Sequence, residues 1–361
     1  MKAHRIGTAP RDATLTALLI CTSLLGAVRS AEKSYDIIQY GKDCARLIAE
    51  APPFNCLTGD IIPITVNGKT PEQYTRQMKC DKPAYLPYPE KTDGQCAPYT
   101  RVLATRDDNV QIIQYCRRMY IRPKESPYFD SIEMIMHNVE TGSTCFFISK
   151  NFGGDPKGED GRRMPPPHEE KPPEGFVSAR ELWATPEQIA DHGCINCHDS
   201  DPWVHTPWIA QTAQLPVDPW GFHSAAIGGP FKRWPKPMRI STRGNVCTGC
   251  HRIGSLNTCQ LMDIPTFGEQ PAKMLQSIGE APHGRFGVKA GSAMQKEADP
   301  TTEWGTHPHG WMGKRLPHVD SDMWALYQAD VEALQRCCKD HSAPGCIVKP
   351  IQSKTEWLED R

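Results

Sequence analysis

The sequence predicts an α+β chain of more than one domain: a small, disulfide-stapled, β-rich domain at 31–150, followed by a mainly α, loop-rich domain at 176–350. Three observations predict it. Short apolar runs separated by turn residues fill 101–149, the composition changes to NFGGDPKGEDGRRMPPPHEEKPPEG over 151–175, and helix-start signals begin just beyond it. A chain of 361 residues has room for two domains of ordinary size. With 39% apolar residues, 33 prolines and 28 glycines it is neither a coiled coil nor a multi-span membrane protein, and its mean hydropathy of -0.53 agrees. Forty-one Lys+Arg against 42 Asp+Glu leave a net charge of -1, which lacks the basic excess that a nucleic-acid binder needs to neutralise phosphates.

Lys2, His4, Arg5 and Arg11 precede the apolar run Leu15 to Val28, and Val28-Arg29-Ser30 places small side chains near a cleavage point before Ala31. Residues 1–30 therefore read as a secretory leader. The run is shorter than the roughly 20 residues that cross a bilayer, which makes an uncleaved anchor the weaker alternative, and no later stretch is apolar enough to span one, so no membrane span is expected once the leader is removed. Ile20 beside Cys21 argues against lipoprotein processing. A helix is expected from Tyr35 to Ala51, and the proline- and cysteine-rich stretch from Pro52 to Pro98 has neither helical nor strand period, which predicts an irregular segment stapled by disulfides. Arg101–Thr105, Val110–Ile121, Ser131–His137 and Thr144–Ser149 read as strands. Val139-Glu140-Thr141-Gly142 closes a hairpin between the last two.

Residues 151–175 offer almost nothing to bury and read as a linker. Beyond them, Ser178 with Glu181 and Thr185 with Gln188 have capping-box spacing, Pro186 suits a first helical position, and Gly193 stops or bends the second helix. After Ser321, the residues Met323, Trp324, Leu326, Tyr327, Val331 and Leu334 recur at steps of three and four, which predicts a helix that delivers Cys337 and Cys338. Residues 351–361 form a tail.

Fifteen cysteines turn the compartment into a chemical question, because exported chains form bridges and cytosolic ones hold metals. Loss of the leader removes Cys21 and leaves an even number. Cys44, Cys56, Cys80, Cys96, Cys116 and Cys145 fall in the N-terminal half, and Cys259, Cys337, Cys338 and Cys346 in the C-terminal half, so each half can pair internally. The alternative is reduced buried thiols. The remaining four stand in Cys194-Ile195-Asn196-Cys197-His198 and Cys247-Thr248-Gly249-Cys250-His251, both C-x-x-C-H. Two thiols three positions apart on one turn can form thioethers with the vinyl groups of one haem, and the histidine that follows can reach its iron. Structural zinc would leave both histidines surplus and needs a tighter ribbon spacing. A redox-active C-x-x-C would call for thioredoxin-like strand–helix alternation.

On these two motifs and the leader, the chain resembles the bacterial dihaem c-type cytochromes over about residues 178–347. The resemblance implies a cytochrome c-type domain with two covalently bound c-type haems, Cys194, Cys197, Cys247 and Cys250 as attachment sites, and His198 and His251 as axial ligands. It implies a periplasmic electron carrier that passes single electrons between redox partners. A dihaem peroxidase or other haem oxidoreductase, or a cytochrome subunit of a larger dehydrogenase complex, is the alternative. Met238 and Met312, in loops rich in proline, glycine and tryptophan, are the candidate sixth ligands, and His205, His223, His307 and His309 are the histidine alternatives. Trp203, Trp208, Trp220, Trp234, Trp304 and Trp311 can pack against porphyrin or in an ordinary core. Lys232, Arg233, Lys236, Arg239 and Arg243, with no acid between them, suit haem propionates or an acidic redox partner docking at 232–243.

Overall fold

Between residues 60 and 148, successive runs of the chain pair into a five-stranded antiparallel sheet with strand order β1-β2-β3-β5-β6. Its strands are β1 (Asp60–Ile61), β2 (Arg101–Arg106), β3 (Val110–Arg117), β5 (Ser131–Asn138) and β6 (Thr144–Ile148). The computed structural model describes residues 35–78, 80–82, 96–204, 208–212, 215–216, 220–249, 251–262 and 321–359. The leader with Cys21, and Cys250, Met312, His205, His307, His309, Trp304 and Trp311, lie outside the described residues. All four strands expected from sequence are present, and the expected hairpin pairs Met136 with Cys145 and Ile135 with Phe146. Its turn is closed by Asn138, whose side-chain oxygen accepts from the N–H groups of Glu140 and Thr141 at 3.0 Å.

One face of the sheet is covered by α1 (Ile37–Leu47), which starts where the Asp36 carboxylate accepts from the Gln39 N–H and buries Ile37, Ile38, Tyr40 and Cys44. Tyr40 fixes this helix in two ways. Its ring lies 4.3 Å from that of Phe231 and 5.0 Å from that of Phe147, and its oxygen accepts the Phe146 N–H at 3.0 Å on the edge strand. On the other face, Ile135 and Phe146 look toward the segment that follows α3 (Pro186–His192), where Phe146 meets His198.

The stretch 151–175 lies on this same body. It has few apolar side chains, so main-chain bonds hold it: β7 (Glu159–Asp160) pairs with β4 (Tyr128–Phe129), Phe54 bridges Met164, and the Pro165 carbonyl accepts the Trp183 indole N–H at 3.0 Å. Gly41 of α1 touches it so closely that a Cβ there would stand 2.4 Å from the Pro167 oxygen. One core cluster then runs from Ile37 and Tyr40 through the sheet to Trp183, Ile189, Trp203, Trp208, Phe231 and Trp234. Among the described residues, no helix is long and apolar enough to cross a membrane.

Among the described residues, the C-terminal half does not form the expected mainly α, loop-rich cytochrome domain, and the described structure is β-rich, built on a five-stranded antiparallel sheet. Both capping boxes exist as read, at Ser178 and Thr185, but α2 (Ala179–Leu182) ends after 4 residues at Trp183 and α3 after 7 at Gly193. A capping signal fixes where a helix begins and carries no information on its length. α4 (Asn257–Met262) and α6 (Lys354–Glu359) have 6 residues each, and only α5 (Ser321–Lys339), at 19, is long among the described helices. Between them β8 (Met238–Thr242) pairs antiparallel with β9 (Cys346–Pro350), over a second core of Ile240, Ile253, Cys259, Val331, Leu334 and Cys337.

Ten cysteines are bridged within their halves: Cys44–Cys145, Cys56–Cys116 and Cys80–Cys96 in the first, Cys259–Cys338 and Cys337–Cys346 in the second. Cys44–Cys145 ties α1 to β6 across 101 positions, and cross-links of long span restrict the unfolded chain most. Replacing both cysteines by alanine is expected to lower unfolding free energy by about 2–5 kcal/mol in urea titration. An unchanged midpoint would show that this bridge does not form.

Candidate functional site: the paired C-x-x-C-H turns

Each motif is built by a short turn whose entry is capped. At the first, Gly193 leaves α3 in the left-handed region with φ 74°, a conformation that favours glycine, and its N–H returns to Ile189. Cys194–Asn196 then form a 3-10 turn, and the N–H groups of Cys197 and His198 both reach the Cys194 carbonyl, at 3.2 and 3.0 Å. At the second, Asn245 caps the turn by accepting the Cys247 N–H at 3.1 Å, and the His251 N–H reaches the Cys247 carbonyl at 2.9 Å. In both motifs the histidine therefore follows the first cysteine by one closed backbone turn.

Cys194, Cys197 and Cys247 are free thiols and half-buried. Burial pushes all three above the ordinary thiol range. Cys194 also follows the C-terminal end of α3, where the helix dipole disfavours a thiolate. These are opposite to the conditions that make an exchange-active cysteine. His198 is held in one orientation: its Nδ1 lies 2.8 Å from the Pro202 carbonyl, which can only accept, so Nδ1 carries the proton and Nε2 keeps its lone pair. Burial lowers its pKa to about 4, so the ring is neutral, and it sits 5.0 Å from the Phe146 ring. Arg117 of β3 and Glu133 of β5, paired at 3.0 Å, supply the charges that act on this turn.

The loops that follow the two motifs interlock. The buried Asp199 carboxylate accepts from the Leu256 N–H at 2.6 Å, the Thr258 N–H at 3.4 Å and the Thr258 hydroxyl. The Ser200 hydroxyl donates to the Arg252 carbonyl at 3.1 Å, while the Arg252 guanidinium donates to the carbonyls of Ser200 and Gly221 at 2.8 and 2.6 Å. Asn257 Nδ2 donates to Cys197 Sγ at 3.4 Å. β8 joins both sides, since the Met238 N–H reaches the Asp199 carbonyl at 3.0 Å and the Ile240 N–H the Ile253 carbonyl at 2.8 Å.

Met238, half-buried, begins β8 with its backbone bonded to the residue next to His198. His223 is fully buried with both ring nitrogens engaged: Nε2 donates to the His198 carbonyl at 2.9 Å, and Nδ1 accepts from the Thr144 hydroxyl at 3.0 Å. Trp203, Trp208 and Trp234 are buried in the main core, while Trp220 is exposed beneath the Arg239 guanidinium, 4.1 Å from its ring centroid. Of the basic run, Arg233 pairs with Asp191 and Lys236 with Glu356. Asp199, Arg252 and Asn257 escaped sequence reasoning. Two of them directly follow a motif histidine, the one signal that could have drawn attention to them. Among the described residues, no group of three or more His, Cys, Asp or Glu side chains converges on a metal-sized point.

Burial raises the pKa of Asp199 from 3.8 to about 7, against the hydrogen bonds that lower it. A carboxyl whose folded pKa lies above its unfolded one contributes stability that is fully present below the unfolded value and is lost as pH rises through the folded one. Stability is therefore expected to fall between about pH 4 and pH 7, by a few kcal/mol at most, and Asp199→Asn should flatten that slope in denaturant titrations at several pH values. A variant with the parent's slope would contradict the buried carboxyl.

Comparison of the chain with family models, with curated proteins and with solved structures finds no match.

Proposed function

We propose that the chain is an exported dihaem c-type protein that carries single electrons between redox partners. In this reading Cys194 with Cys197, and Cys247 with Cys250, form the thioethers, and His198 and His251 are the axial imidazoles. The observation that carries it is selective: ten cysteines are bridged while the described motif thiols stay free beside an imidazole one turn away. Two thiols and one oriented neutral imidazole are the donor set that a c-type haem needs. The reading concerns the attachment chemistry and implies no resemblance to a helical cytochrome domain.

When bound, a c-type haem supplies the one-electron change at its iron. The chain's own residues do the rest. Pro202 holds the His198 tautomer with Nε2 available. Phe146 packs against that imidazole, and Trp234 packs edge-on against Phe146 in turn, with ring centroids 5.8 Å apart. Five disulfides suit an oxidising compartment such as the periplasm. With Arg233 and Lys236 engaged internally, an acidic redox partner would meet Lys232 and Arg243, both exposed on the 232–243 segment.

The test is a denatured alkaline pyridine spectrum of protein exported from cells that mature c-type cytochromes. Two covalent haems per chain are expected, falling to one in C194A/C197A and to one in C247A/C250A. A colourless parent protein, or a parent content unchanged in both variants, overturns the proposal.

A further inference from the structure

Asn257 stands out among the residues that touch the motifs. It belongs to the loop after the second motif, at the start of α4, yet its side-chain N–H points at the second cysteine of the first motif, 3.4 Å from Cys197 Sγ. Asn257 is 4% exposed, so it cannot reorient toward solvent. Its neighbours on both sides, Leu256 and Thr258, give their backbone N–H groups to the Asp199 carboxylate, which stands two positions after Cys197. The contact is thus clamped on both flanks by the residue that directly follows the motif it touches. Sulfur is a weak acceptor, and a buried amide donor ordinarily finds an oxygen.

We infer that Asn257 tunes the group bound at the first motif, so that the second motif's loop forms part of the first motif's centre. This rests on the proposed haem attachment. The positive end of the Asn257 N–H dipole faces the attachment sulfur, and a positive dipole favours whichever oxidation state holds the extra electron. Asn257 therefore raises the reduction potential at the first centre and leaves the second unaffected. Sulfur is a weak acceptor and only the difference in this bond between the two oxidation states moves the equilibrium, so an ordinary net hydrogen bond, worth about fivefold, is the upper bound on the change.

The experiment is spectroelectrochemical titration of the full exported chain, its Asn257→Leu and Asn257→Asp variants, and Asn257→Leu in the C194A/C197A background. In the full chain, Asn257→Leu should move one of two one-electron waves to lower potential by no more than about that fivefold factor. Asn257→Asp, which keeps the side chain's shape but turns oxygens toward sulfur, should move it further. In C194A/C197A the surviving wave should stay in place. Unmoved waves in both full-chain variants overturn the assignment, as does an equal shift of the surviving wave in the background. If Asn257→Leu does not fold, Asn257→Asp alone decides by the same criterion. A chain that carries no covalent haem fails instead at the attachment reading, and the assignment falls with it.

Discussion

A carboxylate that leaves water must find donors inside the protein, and Asp199 finds them on the loop that follows the other motif. Much else in the C-terminal half depends on that requirement. Residues 254–258 are drawn against the first turn, and Gly254 leaves room for the carboxyl: a Cβ there would stand 2.2 Å from Asp199 Oδ1. Arg252 answers the same need with the opposite sign, burying a guanidinium against the carbonyls of Ser200 and Gly221. Two motifs separated in sequence by a strand and several turns become one hydrogen-bonded unit, and β8 closes it from the side.

The sheet gives this unit its rigid floor. Glu133, Ile135 and His137 of β5 alternate toward the face that Phe146 shares, and the first motif lies on that face. His223 ties floor and motif together. It receives the Thr144 hydroxyl from β6 and donates to the carbonyl of His198, and burial holds it neutral, well below the ordinary imidazole range. A neutral ring with one fixed tautomer suits this chain of bonds, because a charged imidazole would present two donors and clash with the hydroxyl proton. The helix on the opposite face contributes through covalent and aromatic contacts, not through its own length.

Local signals were legible in the sequence. Short apolar runs between turn signals identified β2, β3, β5 and β6, both capping boxes marked α2 and α3, and the two C-x-x-C-H patterns set their cysteines apart from the ten that are bridged within their halves. What stayed hidden is non-local or carried by the backbone. β8 pairs with a strand more than 100 positions away, and its short run Met238-Arg239-Ile240-Ser241-Thr242 reads as part of a basic loop until β9 is placed beside it. Residues 151–175 are held by main-chain bonds, which leave no side-chain pattern to read. Asp199, Arg252 and Asn257 are polar residues that are buried only because they meet one another's loops, and no periodicity encodes that. The closed turn of each motif was legible from its spacing, whereas among the described residues the mainly α domain expected around the motifs is not formed.

The most direct measurement is fragment-resolved mass spectrometry, without reduction, of the chain produced in cells that mature c-type cytochromes. The account predicts five intact bridges among the ten cysteines outside the motifs, with a porphyrin mass localised on Cys194 and Cys197 and a second on Cys247 and Cys250. A chain no heavier than its amino acids, or one in which Cys194 is bridged to Cys197, would contradict it.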